Sequence, residues 1–166
     1  VVYQFEIAPD DAPSFPFVSE GVSDLAGTTA AEVMEDAHHL IRTVHPGDRD
    51  RYEEAVRRSQ STLEPYNIRH RLISRDGTIR WIESHSTPIR LADGTVQWTG
   101  VAIDISEQMA MDEELAKRER NLRTVFEQAT SGIILANDDS FVVDCNQTAA
   151  RLLGYTQDEL RGQHAS

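Results

Sequence analysis

The chain has 166 residues, 39% of them apolar, and a formal net charge of −12, a globular rather than a disordered composition. That acidity excludes a surface for non-specific binding of nucleic acid or anionic membrane, because phosphates would be repelled. No apolar run approaches the roughly 18 residues that cross a bilayer, and no signal-peptide pattern is present. The single cysteine, Cys145, excludes an internal disulfide and fits a reducing, cytoplasmic interior. The length suits one domain, or one domain with part of a second. The start at Val1 reads as a piece cut from a longer protein, whose membrane association stays open. Lys117 is the one lysine beside 15 arginines, a balance that fits either a salt-adapted protein or a GC-rich genome.

Residues 1–7 (VVYQFEI) alternate as a strand, PDDAP supplies turn chemistry, and residues 14–19 (SFPFVS) form a second short strand. In TTAAE, Thr29 caps a helix start while Glu32, three residues on, reaches back to complete a capping box. Residues 45–64 read as a helix after a Pro-Gly-Asp start, with Tyr52, Ala55 and Val56 as its narrow apolar stripe. Two strands, 66–74 and 78–89, flank the hairpin signal Asp76-Gly77. LADG (91–94) turns into a third strand ending near Ile105.

From Ser106 to Ala129 the pattern is helical and charged, with a heptad seam through Met111, Leu115, Leu122, Val125 and Ala129. Gln108 and Arg118 interrupt that seam, so a paired coiled coil and a solvated linker helix both stay open. GIILAND and SFVVDCN then restart a strand-turn-strand. LLGYTQDEL (152–160) repeats LAGTTAAEV (25–33) at a distance of 127 positions, glycine and capping box included. A period of that size is a domain, not a solenoid repeat. Hairpin-linked strands with helices clustered between the second and third define an α+β class.

FVSEGVSDLAGTTAAEV, HPGDRDRY, YNIRHRLISRDGTIRWI, PIRLADGTV and GVAIDISE occur in the order in which similar segments occur in PAS domains of signalling proteins. The chain resembles that family over residues 1–107, and the pattern restarts near Thr130. The resemblance implies a five-stranded antiparallel sheet of order 2-1-5-4-3 with helices on one face. It implies a PAS domain at 1–107, a linker or signalling helix at 108–129, and the N-terminal part of a second PAS domain at 130–166. It also implies a non-catalytic sensory and dimerising module, and the heptad seam makes the linker helix the expected homodimer contact. The usual parents are sensor histidine kinases and related signalling proteins. The alternatives are a spacer without ligand and a haem or flavin sensor.

Candidate residues follow. A two-residue turn at Asp76-Gly77 would put His70 opposite Glu83 and gather His70, Trp81 and His85 on one hairpin face, where they become candidate ligand contacts. Asp104, in a segment resembling the family's closing motif, stands where the last strand meets the linker helix. Its carboxylate can cap that helix or pair with Arg75 or Arg80, which makes Asp104, Ile105, Arg75 and Arg80 the candidate signal relay. His38, His39 and His45 match no metal-ligand spacing, so no metal site is expected. Cys145 lies in a strand and not in the helical motif of flavin-adduct relatives, and no cofactor, haem included, is evident. No catalytic group is expected, since neither a base beside Cys145 nor a phosphate-cradling glycine loop is present.

Overall fold

The computed structural model describes residues 1–164. It divides into two compact units, Val1–Met109 and Ala110–Ser166. In the first, strands β1 (Val2–Ile7), β2 (Pro13–Val18), β3 (Tyr66–Ile73), β4 (Ile79–Arg90) and β5 (Val96–Asp104) form one antiparallel sheet of order β2-β1-β5-β4-β3. This is the order expected from the sequence. Between β2 and β3 lie α1 (Val22–Ala26), α2 (Ala30–Glu35), α3 (His38–Ile41), a 3-10 turn (Pro46–Asp48) and α4 (Arg49–Thr62).

Alternation dictates which sheet face the helices cover. On β4, Ile82, Ser84 and Ser86 are buried and their odd-numbered neighbours face outward. On β3 the buried set is Tyr66, His70 and Leu72. Phe5, Phe15 and Trp98 stack at centroid distances of 4.9 and 5.5 Å beneath α4. The Trp98 indole N–H donates to Ser59 Oγ on that helix at 2.9 Å, so the large ring is buried without an orphaned donor. Tyr52, Ala55 and Val56, the stripe read from the sequence, pack against this core. Helix α4 begins at Arg49 rather than His45, because His45 caps the 3-10 turn by accepting from Gly47 N–H.

The α2 capping box is formed at both ends: Thr29 Oγ1 accepts from Glu32 N–H and the Glu32 carboxylate accepts from Thr29 N–H. Those bonds, with the Thr28 hydroxyl, pull Glu32 down to a pKa of about 2. Gly27 ends α1 in the left-handed region.

One sequence expectation is corrected here. The β3–β4 connection is not a two-residue turn. Ser74 N–H donates to Thr78 O, Gly77 N–H donates to Ser74 O, and Gly77 takes φ +85° at the left-handed position of this longer loop. The pairing therefore runs His70 to Ile82, Arg69 to Glu83 and Asn67 to His85. One residue of slip exchanges the two faces of a strand. His70 faces the core, while Trp81 and His85 lie on the outer face, so the three do not share a surface.

Helix α5 (Ser106–Gln128) follows β5. In the second unit, β6 (Ile134–Ala136) pairs with β7 (Val142–Cys145), followed by α6 (Gln147–Leu153) and α7 (Gln157–Leu160). Its small core is Val142, Cys145, Ala149, Ala150 and Leu160. Asn146, fully buried, ties it together: Oδ1 accepts from Ile133 and Ala149 N–H groups, and Nδ2 donates to the Phe126 and Ser131 carbonyls. Gly154 and the Thr156–Glu159 capping box repeat the α1–α2 device.

Candidate ligand cavity and sheet-to-helix junction

Beneath the helices of the first unit lies a cavity of about 70 Å³. Its walls are mostly apolar, among them Phe5, Val22, Leu25 and Ile82, and no Asp, Glu, Lys or Arg lines it. A water needs about 10–15 Å³ of such space, so the cavity has room for about five to seven water-sized groups. Haem and flavin ring systems need pockets on the order of 300 Å³ or more and do not fit it.

The polar side chains in this wall are positioned by register. Tyr66, Ser86, Gly100, Tyr3 and Val18 stand opposite one another in a single row across all five strands, on the helix-covered face. Gly100, in the middle of the row, lets β4 and β5 approach closely, since a Cβ there would fall on the His85 carbonyl oxygen and Ser86. Four buried side-chain atoms among the described residues lack a hydrogen-bond partner, and three of them belong to residues that line this cavity: Tyr66 Oη, Ser86 Oγ and His70 Nδ1. Buried polar atoms are nearly always satisfied, so three orphans around one void single it out.

The electrostatics follow from burial. Burial pushes the Tyr66 and Tyr52 hydroxyls well above the usual phenolic range. Burial raises Tyr3 as well, held back by the neighbouring Ser86 and Ser84 hydroxyls, although no bond of good geometry satisfies Ser86 Oγ. Desolvation pushes His70 down to about 4, against the pull of Asp48, so its imidazole is neutral at pH 7. The Tyr52 ring touches both sides of this group, 5.2 Å from His70 and 6.3 Å from Tyr66.

Of the three sequence candidates for ligand contact, only His70 reaches the cavity. Arg71 lies over the Trp81 ring at 5.4 Å. His85 Nδ1 bonds Asn67 Oδ1 at 2.9 Å, and its Nε2 lies 3.3 Å from Glu83. Glu83 accepts from Arg69 Nε at 2.6 Å, and these contacts, Arg69 first, lower its pKa. The sequence reading missed Tyr66, Ser84 and Ser86. Polar residues at alternate positions of ESHS were the available signal, concealed by the assumed register.

The second feature is the junction where the sheet meets α5. Asp104 Oδ1 accepts from Ser106 N–H at 2.8 Å, and Oδ2 accepts from Arg80 Nη1 at 3.1 Å. Partial burial raises the Asp104 pKa, and the Ser106 and Arg80 bonds outweigh it to leave the carboxyl lowered. Ile105 N–H donates to the Trp81 carbonyl, and Trp81 N–H donates to Ser106 Oγ at 2.9 Å. Arg75 is not at this junction. Its chain lies at the Gly27 end of α1, where its N–H donates to Ala26 O and its guanidinium reaches Glu32 at 3.4 Å.

Met111, Leu115, Leu122 and Val125 are exposed on α5. Ala129 lies one residue beyond the helix, half-buried, with its carbonyl accepting from Thr148 Oγ1. Among the described residues no helix is long and apolar enough to cross a membrane.

Family models described as PAS fold match residues 15–102 and residues 120–166. The chain belongs to the PAS fold family. It is 25% identical over 128 residues to the sensor protein FixL of Bradyrhizobium diazoefficiens, covering 76% of this chain and 25% of FixL. It is 24% identical over 161 residues to the cell-division control histidine kinase PdhS of Brucella anthropi, covering 90% of this chain and 15% of PdhS. The fold is shared with a sensory box histidine kinase/response regulator from Burkholderia thailandensis, at a TM-score of 0.55 and 19% identity over 74% of this chain and 91% of that one. The chain thus spans a quarter or less of the curated relatives it matches.

Proposed function

We propose that this chain is a sensory and dimerising module of a signal-transduction protein whose output is a histidine kinase or a similar domain. Residues 1–107 are the sensor, 108–129 the relay helix, and 130–166 the opening of a second PAS unit in series. A small molecule in the cavity shifts the sheet, and the Arg80–Asp104–Ser106 contacts carry that shift into the first turn of α5. Two copies pair along Met111, Leu115, Leu122 and Val125, so the bound and free states differ in how the paired helices are set.

The observation that carries this reading is continuity. The cavity wall and the α5 junction belong to the same two strands: Ser86 and Ala102 at the void, Trp81 and Asp104 at the helix. The name of FixL supports a sensor and that of PdhS a histidine kinase as the parent.

Two variants test it. Leu122→Glu places like charges in the seam and is expected to convert dimers to monomers in light scattering. An unchanged mass removes the paired helix from the reading. Ala102→Leu fills the cavity from β5 without touching α5, and the relay predicts a changed dimer dissociation constant. An unchanged constant leaves the chain a ligand-independent spacer.

A further inference from the structure

The cavity wall is specific about chemistry, and this extends the sensor reading above, on which it rests. Three kinds of occupant compete for a space of about 70 Å³: apolar, charged and neutral-polar. An apolar occupant leaves Tyr66 Oη, Ser86 Oγ and His70 Nδ1 without partners. A charged occupant meets no charged side chain, because no Asp, Glu, Lys or Arg lines the void. His70 cannot supply one at neutral pH, since burial holds its imidazole in the neutral form. A neutral occupant bearing a hydroxyl or an amide can partner Tyr66 and Ser86 without uncompensated charge.

The polar end is set by the row across the sheet. Tyr66 and Ser86 are direct cross-strand neighbours, and both line the cavity. The apolar body then faces Phe5, Val22, Leu25 and Ile82.

We propose that this cavity binds an uncharged molecule of about five to seven heavy atoms, part apolar ring or chain and part hydroxyl or amide, with its polar end between Tyr66 and Ser86. Phenol is the simplest member of the class. The route in is a groove between the β1–β2 hairpin, α3 and α4, which shares Phe5, Ile41, Tyr52 and Val56 with the cavity wall.

The test uses three size-matched probes, phenol, toluene and pentanoate, against the 166-residue chain, read by thermal shift and by titration calorimetry. Phenol is expected to raise the melting temperature, toluene to bind at least about tenfold more weakly, and pentanoate to give no shift. Tyr66→Phe and Ser86→Ala each remove one orphaned hydroxyl with little change in volume. Each is expected to weaken phenol about tenfold while leaving toluene unchanged, and to melt no lower than the parent without ligand. Toluene equal to phenol, binding of pentanoate, or variants that bind phenol as the parent does would each overturn the chemistry and leave the sensor reading intact. Failure of all three probes also overturns it. Only if Ala102→Leu then leaves the dimer equilibrium unchanged does the sensor reading fall with it.

Discussion

Gly100→Ala is expected to cost the first unit at least about 3 kcal/mol and to lower its melting temperature by about 15 °C. A Cβ built on Gly100 falls on the His85 carbonyl oxygen and 2.7 Å from Ser86 Cα, so it strikes the backbone of the adjacent strand rather than a side chain that can swing away. The pair can accept it only by parting β4 from β5, which carry nine consecutive paired positions from Ile82–Asp104 to Arg90–Val96. Interiors packed like crystals absorb such intrusions poorly. Gly21→Ala is the matched control: its Cβ meets only Val1 Cγ2 at 3.5 Å, an ordinary contact, and its backbone is already right-handed helical. That variant should melt within about 2 °C of the parent. Thermal denaturation followed by circular dichroism decides, and a Gly100→Ala curve overlying the Gly21→Ala curve would show that the strands part cheaply. Because that Cβ also presses on Ser86, which lines the cavity, the variant is expected to lose phenol binding in whatever fraction stays folded.

The sequence carried part of this and hid the rest for definable reasons. Local chemistry was legible: capping boxes at Thr29–Glu32 and Thr156–Glu159, the left-handed caps at Gly27 and Gly154, and the Asp104–Ser106 junction each rest on residues a few positions apart. The sheet order came from the family resemblance, since strand neighbours far apart in sequence leave no local trace. The hairpin register was lost because Asp76-Gly77 suits a two-residue turn and a longer loop equally, and one residue of difference exchanges every side chain between core and solvent. That single ambiguity moved Trp81 and His85 out of the site and concealed Ser84 and Ser86. Gly100 did leave a signal, since an isolated glycine inside WTGVAID marks close backbone approach in a strand. Asp48 left none, because its partner is 23 residues away and on a different element.

Replacing that aspartate is the second large effect expected. Asp48 is 5% exposed, and its carboxylate accepts three bonds from Arg71, through the backbone N–H, Nε and Nη2, each 2.9 Å. These bonds fasten the start of α4 to β3 beside His70, with Arg51 at 3.6 Å as a further cation. Arg71, foremost through its side-chain bonds, holds the Asp48 carboxyl well below the usual carboxylate range against the desolvation that raises it. Asp48→Ala strands the guanidinium and is expected to cost about 3 kcal/mol, the lower end for a buried pair because Arg71 keeps 30% of its side chain in solvent. The sign of the pH dependence follows from the direction of the shift. A depressed carboxyl contributes its full stability above the unfolded pKa of about 3.9 and loses it as pH falls from there towards the folded value. His70 acts in a higher window. Its folded pKa of about 4 lies below the ordinary histidine value of about 6.5, so the unfolded chain takes up the proton first and stability falls between those two values. Urea titrations of the parent should therefore show stability declining in two stages, the first between about pH 6.5 and 4 and the second below about pH 4. Asp48→Asn keeps the volume but not the charge, so it should start lower at pH 7 and show a shallower second stage, the remainder coming from carboxylates such as Glu32 and Asp104. His70→Phe should lose the first stage and keep the second. A full acid limb in Asp48→Asn would assign that limb to other carboxylates, of which Glu32, with its own lowered pKa of about 2, is the leading one.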